Sequence, residues 1–119
     1  MKIFYFGEDH LTPNLALQIA NNKINCEIGK RAKVNIQESR KNTLDIGNSK
    51  RTVYGINTGF GPLCDTRISK EQIKLLQENI LKSHSAGVGP LVTDLIAKLM
   101  LITKAHALSM GCSGISLEV

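Results

Sequence analysis

At 119 residues with 42% hydrophobic content, the chain holds material for one domain with a modest core, and is small for a multi-step enzyme. A formal charge of +5 invites an acidic partner, but two Tyr, three Phe and no Trp leave few stacking surfaces for single-stranded nucleic acid. Most of the positive excess falls between Lys23 and Lys50, interrupted by Glu27, Glu38 and Asp45, which is the pattern of a solvated helical face and argues against a nucleic-acid partner.

Residues 2 to 6 are β-prone and are expected to pair with another segment as a short strand. The same stretch is too short for a signal-peptide core and runs at once into Gly7-Glu8-Asp9. No apolar run anywhere approaches the roughly 20 residues of a membrane helix, so no membrane partner is expected. Thr12-Pro13 predicts a helix start, a side-chain cap followed by a proline already at helical φ, with the helix running to about Asn21. From about Lys30 to Leu44 the chain is polar with sparse apolar residues and reads as a surface helix ended by Gly47-Asn48-Ser49. Cys26, Cys64 and Cys112 are odd in number, far apart and form no Cys-x-x-Cys pair, so free thiols in a reducing cytoplasm are expected.

A glycine-rich loop spans residues 53–67. Ser69-Lys70-Glu71-Gln72 then predicts a capping box, and Ile73, Leu76 and Ile80 give the following helix one apolar face. His84 extends that face from Ile80 by one turn, placing it at the carboxyl end of the helix against the core side. Pro90 breaks the chain and Thr93 caps a last helix through about Met110. Its Leu95, Ile96, Leu99, Met100, Ile102, Ala105 and Leu108 cover most of the circumference and predict burial on several sides. So much apolar surface in so short a chain, with no terminal cap or polar tail after it, reads as a piece of a larger, mostly helical protein.

Chemistry-bearing residues concentrate in two places. Tyr54-Gly55-Ile56-Asn57-Thr58-Gly59-Phe60-Gly61 sets three glycines around a phenol, an amide and a hydroxyl. Alone, this loop reads equally as a packing turn or a site. It is not a phosphate-binding loop, because Gly59-Phe60-Gly61-Pro62 carries no lysine and leads into no helix directly. The second place is Ser83-His84, and on spacing alone His84 reads as a core histidine at a helix end. His106 and Cys112 could be drawn with His84 as a metal trio, but no ligand spacing supports it and no metal is expected.

The octapeptide, with Leu63 after it and Ser83-His84-Ser85-Ala86-Gly87-Val88-Gly89 further on, resembles the amino-terminal part of the aromatic amino acid ammonia-lyases, and above all of their histidine-specific members. The resemblance is close from about Val53 to Ile115 and looser before. It implies a mainly α chain, the amino-terminal portion of an aspartase/fumarase-like helical fold with a short β element near the start, in which residues 1–119 form a domain fragment carrying the tyrosine loop.

By the same resemblance Tyr54 is the catalytic tyrosine, Gly61 brings bare backbone close to substrate, and Asn57, Thr58 and Gly59 support the loop. Ser83 and His84 occupy the pair that tracks substrate choice, Ser-His in histidine-specific enzymes, His-Leu in tyrosine-specific and Phe-Leu in phenylalanine-specific ones. An imidazole can read a substrate imidazole because each neutral ring carries one donor and one acceptor.

The implied reaction is elimination of ammonia from L-histidine to urocanate in a homotetramer, with a methylidene-imidazolone electrophile cyclised from an internal Ala-Ser-Gly. No Ala-Ser-Gly occurs in this chain, and Cys112-Ser113-Gly114 aligns with a different segment, so the chain alone is expected to be inactive. By the same resemblance Ser116 stands where most relatives have arginine, removing an expected salt bridge or active-site support at the final turn. The alternatives are a phenylalanine or tyrosine ammonia-lyase or aminomutase, disfavoured by Ser83-His84, and a non-catalytic assembly or binding fragment.

Overall fold

The computed structural model describes residues 3–119, without the side chains of Leu63, Lys70 and Glu71. The chain forms two compact units, one of residues 3–41 with 91–119 and the other of residues 42–90.

The first unit begins with strand β1 (Ile3–Phe6), helix α1 (Pro13–Ala20) and strand β2 (Asn25–Ile28). The strands pair in parallel with Ile3 opposite Asn25 and Phe6 opposite Ile28, and α1 is the crossover that parallel pairing requires. The strand expected at residues 2–6 is therefore present over the described residues, and its partner is a segment the sequence did not single out. Helix α1 starts as expected, with Thr12 Oγ1 accepting from Leu15 N at 3.3 Å and Pro13 in the first helical turn. The core gathers Phe4, Ala16, Ile19, Ala20, Ile24 and Ile102, the last from helix α4 (Asp94–Ser109). His106 belongs to this packing. Its ring lies 5.7 Å from that of Phe4, and its Nδ1 accepts the Gly7 N–H at 3.4 Å.

Helix α2 (Lys30–Asn48) buries only Ala32 and Ile36, as a polar surface helix should. Its amino-terminal N–H groups are met from outside the helix: Glu8 Oε1 accepts from Arg31 N at 2.6 Å and Ala32 N at 3.3 Å. A carboxylate there also faces the positive end of the helix dipole. The tail after α4 is tied to α2 through Gly114, whose N–H donates to Ser39 Oγ and whose carbonyl accepts from Arg40, both at 3.1 Å. The Ser116 hydroxyl bonds Glu118 and, as the main cause, holds that carboxyl below its ordinary range.

Three expectations are corrected. Helix α2 runs through Gly47 to Asn48, because Gly47 is tolerated inside the last turn and Ser49 closes it instead, its Oγ donating to the Ile46 carbonyl at 2.8 Å. Helix α4 is not buried on several sides within this chain. Only Ile102 and Ser109 are buried, while Leu95, Ile96, Met100 and Leu101 are exposed. In the second unit, helix α3 (Lys70–His84) has Ser69 at its N-cap, but the serine hydroxyl makes no capping bond. The Ser69 carbonyl instead accepts from Gln72 and Ile73 N–H, both at 3.0 Å. Among the described residues no helix is long and apolar enough to cross a membrane, and the three cysteines are unpaired thiols.

Two glycines make opposite predictions. Gly7 has φ +80, and a Cβ there would overlap the Ser109 carbonyl and lie 2.7 Å from Ala32 Cβ. Gly7→Ala should therefore destabilise the protein by about 2 kcal/mol or more. Gly47 is helical, and its nearest neighbour to an added methyl is Ile56 Cγ2 at 3.9 Å, so Gly47→Ala should stabilise by roughly 0.5 kcal/mol. Urea unfolding of the two variants reads both, and equal midpoints would refute the geometry at Gly7.

Candidate active site

The glycine loop follows directly from the end of α2, and its shape is set by one side chain. Asn57 is 1% exposed, and all of its polar capacity goes to backbone. Its Oδ1 accepts the Val53 N–H at 2.8 Å, while Nδ2 donates to the Arg51 carbonyl at 2.8 Å and the Ile46 carbonyl at 3.4 Å. The Val53 carbonyl in turn accepts the N–H groups of Ile56 and Asn57, folding residues 53–57 into a tight turn. Tyr54 and Gly55 form the outside of that turn, Gly55 at φ +76. Thr58, also 1% exposed, closes the inside, its Oγ1 accepting from Gly55 N at 3.4 Å and donating to the Gly59 carbonyl at 2.9 Å.

Beyond the turn the chain makes an excursion and returns. Thr58 and Arg67 form an isolated antiparallel bridge, flanked by Gly59 N to Thr66 O at 3.1 Å and Ile68 N to Asn57 O at 3.0 Å. Between these ends Phe60 is extended, and Gly61-Pro62-Leu63 makes one turn of 3-10 helix, with Gly61 at φ +58. A Cβ on Gly61 would meet nothing within 4 Å, so the glycine serves its left-handed backbone and leaves open space above it. Arg67 then locks the return. Its Nη2 donates to the Ser49 carbonyl at 2.6 Å and Nη1 to the Lys50 carbonyl at 3.4 Å, a cation at carbonyls just past a helix end. Sequence reasoning missed Arg67. Its only signal was an arginine at the far end of the glycine loop, with no spacing to mark its partners.

Tyr54 is held at this frame's edge. It is 61% exposed, and its ring packs edge-on against Phe60 with centroids 5.8 Å apart. Among the described residues its hydroxyl has no hydrogen-bond partner. Phe60, part of the octapeptide but given no role by the sequence, is the ring's partner.

Ser83 and His84 lie in the last turn of α3 and are exposed, not turned to a core as the apolar spacing suggested. The reason is the helix itself: of Ile73, Leu76 and Ile80 none is fully buried, so its apolar face has little to pack against within its own unit. Their described bonds are all local. Ser83 Oγ donates to the Ile80 carbonyl at 3.1 Å, and His84 Nδ1 lies 3.0 Å from that same carbonyl and 2.9 Å from Ser83 Oγ. The chain thus carries a phenol and an imidazole on two separately braced elements, each open at its reactive end.

Removing the Asn57 amide leaves the Arg51 carbonyl and the Val53 N–H without their partner, while the Ile46 carbonyl keeps its bonds from Ser49. Asn57→Ala should therefore cost about 2 to 4 kcal/mol, and Asn57→Asp should do no better at neutral pH because it turns a carboxylate oxygen toward those carbonyls. Urea unfolding with amide exchange at Val53 checks this. An Asn57→Ala protein with unchanged midpoint and protection would remove Asn57 as the organiser of the loop.

With the geometry in place, comparison with known proteins is direct. A family model for aromatic amino acid lyases matches residues 11–119. The histidine ammonia-lyase of Streptococcus sanguinis strain SK36 is 44% identical over 111 residues, 92% of this chain and 21% of that protein. The crystal structure of histidine ammonia-lyase from Trypanosoma cruzi superposes with a TM-score of 0.83 at 38% identity, covering 99% of this chain and 22% of that one. The tyrosine aminomutase from Streptomyces globisporus gives a TM-score of 0.84 at 26% identity, over 97% of this chain and 22% of that one. The chain spans about a fifth of the length of these relatives. Its fold is that of their amino-terminal part, and with the match of residues 11–119 it belongs to the aromatic amino acid lyase family.

Proposed function

We propose that this chain is the amino-terminal part of a cytoplasmic, homotetrameric ammonia-lyase that converts L-histidine to urocanate and ammonia. The observation that carries the proposal is the combination of an exposed phenol on the braced glycine loop with Ser83-His84 at an open helix end. The names of the relatives, histidine ammonia-lyases at 39–44% identity, support the substrate.

In this reading Tyr54 is the proton-transfer residue. A phenol is ordinarily a poor base at neutral pH, so this role needs donors or cations that stabilise phenolate, and making a phenol tenfold more acidic takes about 1.4 kcal/mol of such stabilisation. The free hydroxyl and the Phe60 contact suit that role, since the ring is held while its oxygen stays available. Gly61 lets a substrate approach bare backbone, and Asn57, Thr58 and Gly59 keep the loop rigid. Ser83 and His84 read the substrate ring.

The methylidene-imidazolone of the family supplies the electrophile that activates the departing amine. No Ala-Ser-Gly triplet exists among the 119 residues to form it, so this chain contributes proton transfer and recognition alone. A tyrosine- or phenylalanine-directed lyase or aminomutase is the second reading, favoured by the likeness to the tyrosine aminomutase. The polar Ser83-His84 pair weighs against a phenylalanine substrate, because an apolar ring offers an imidazole no hydrogen bond and a buried unpaired group is penalised.

The isolated chain should give no urocanate absorbance from L-histidine, since a phenol and an imidazole cannot replace an electrophile. Turnover above a heat-killed control would overturn the account. In the full-length protein, Tyr54→Phe should lower kcat by ~10²-fold or more with substrate binding nearly unchanged. His84→Leu should raise KM for histidine by ~10-fold and improve the relative acceptance of phenylalanine. A Tyr54→Phe enzyme with most of its turnover would make Tyr54 structural, and unchanged histidine kinetics in His84→Leu would leave the substrate open to the second reading.

A further inference from the structure

We infer that the Ile80 carbonyl and Ser83 fix His84 as the tautomer protonated on Nδ1, so that Nε2 offers a lone pair and selects a ligand ring that donates an N–H. The recognition half of this inference rests on the substrate-reading role of His84 proposed above. The tautomer half stands on geometry alone.

Nδ1 of His84 has two oxygen neighbours, the Ile80 carbonyl at 3.0 Å and Ser83 Oγ at 2.9 Å. A carbonyl oxygen can only accept. If Nδ1 were unprotonated, its lone pair would face the carbonyl lone pairs at hydrogen-bond distance. Ser83 would then have to spend its single proton on Nδ1 and give up its bond to the Ile80 carbonyl at 3.1 Å.

With the proton on Nδ1 the conflict disappears. Ser83 Oγ donates to the Ile80 carbonyl and uses a lone pair to accept from Nδ1, while Nδ1–H also reaches the carbonyl. All three groups are then satisfied in one arrangement. The neutral ring has one proton to place, so Nε2 is left as an acceptor. Nε2 has no partner among the described residues, and His84 is exposed, so that acceptor is open to a ligand.

Ser83 thereby becomes a positioning residue acting through His84. The choice of acceptor has a chemical consequence. An imidazole donates to Nε2 through a ring N–H, whereas a phenyl ring has no donor to give.

Nitrogen-15 labelling of histidine in the chain, read through the ring carbon-bound protons at a pH where the ring is neutral, reports the tautomer directly. His84→Gln assigns the signal among His10, His84 and His106. Nδ1–H should predominate at His84. Ser83→Ala should raise the Nε2–H fraction by roughly 2- to 10-fold, the value of one neutral hydrogen bond, and Ser83→Thr should restore it. Nε2–H predominating in the unmodified chain overturns the inference, and a tautomer balance indifferent to Ser83→Ala overturns the role of Ser83.

Recognition is tested separately in the full-length protein. A thiazole analogue of histidine, with sulfur replacing the ring N–H, should bind about 10-fold more weakly than histidine. That gap should close in His84→Leu. If Nδ1–H is found but the gap persists in His84→Leu, the tautomer stands, and the recognition half falls together with the reading it rests on.

Discussion

The buried amide of Asn57 is the contact on which the candidate site depends. Three backbone groups from three places, Ile46 at the end of α2, Arg51 in the connection and Val53 in the turn, are satisfied by one side chain with one acceptor and two donors. No other residue type offers that set in so small a volume except glutamine, whose extra methylene would not fit the same reach. Leaving the Arg51 carbonyl and the Val53 N–H unpaired would cost about 1 to 3 kcal/mol each, whereas the Ile46 carbonyl also accepts from Ser49. The amide therefore does more than hold a loop: it sets where Tyr54 leaves the chain. Thr58 and Arg67 extend the same principle, spending side-chain polarity on backbone that no regular element satisfies.

The apolar surface shows a different constraint. Leu101 is 70% exposed, and with Leu95, Ile96 and Met100 it leaves α4 clothed in hydrocarbon that the first unit does not cover. An apolar face of that extent is unusual for an isolated soluble chain. It is in keeping with a chain that spans about a fifth of the length of its relatives. The buried core is correspondingly small, built on Phe4, three residues of α1, Ile24 and Ile102. Polar ties across the chain, Glu8 on the start of α2 and Gly114 between Ser39 and Arg40, add to this core.

Much of the architecture was legible in the residues. Thr12-Pro13 marked the start of α1 and Thr93 the start of α4 because capping is local: a hydroxyl and an N–H two or three residues away decide it. The glycine loop and the Ser83-His84 pair were legible for another reason, since few settings call for that octapeptide and the family resemblance rests on it. The second strand escaped notice because Asn25–Ile28 is four residues long, and its strand character comes from pairing with β1, a contact of high sequence separation. The capping box at Ser69 was misread in detail, because sequence gives the residue types but not which rotamer the serine takes.

The features legible from the residues were therefore local and chemical: helix starts, the glycine-rich loop, and which phenol and imidazole stand out. Only the tertiary structure decided how those groups are presented. It turned His84 outward, since the apolar face of α3 finds little in its own unit to bury against. It gave Tyr54 a ring partner in Phe60 and left its hydroxyl open. It also recruited Arg67 to carbonyls far back in sequence. The physical reason is common to all three: exposure and partnership depend on which distant backbone and side-chain groups arrive nearby, and spacing along the chain carries no record of that.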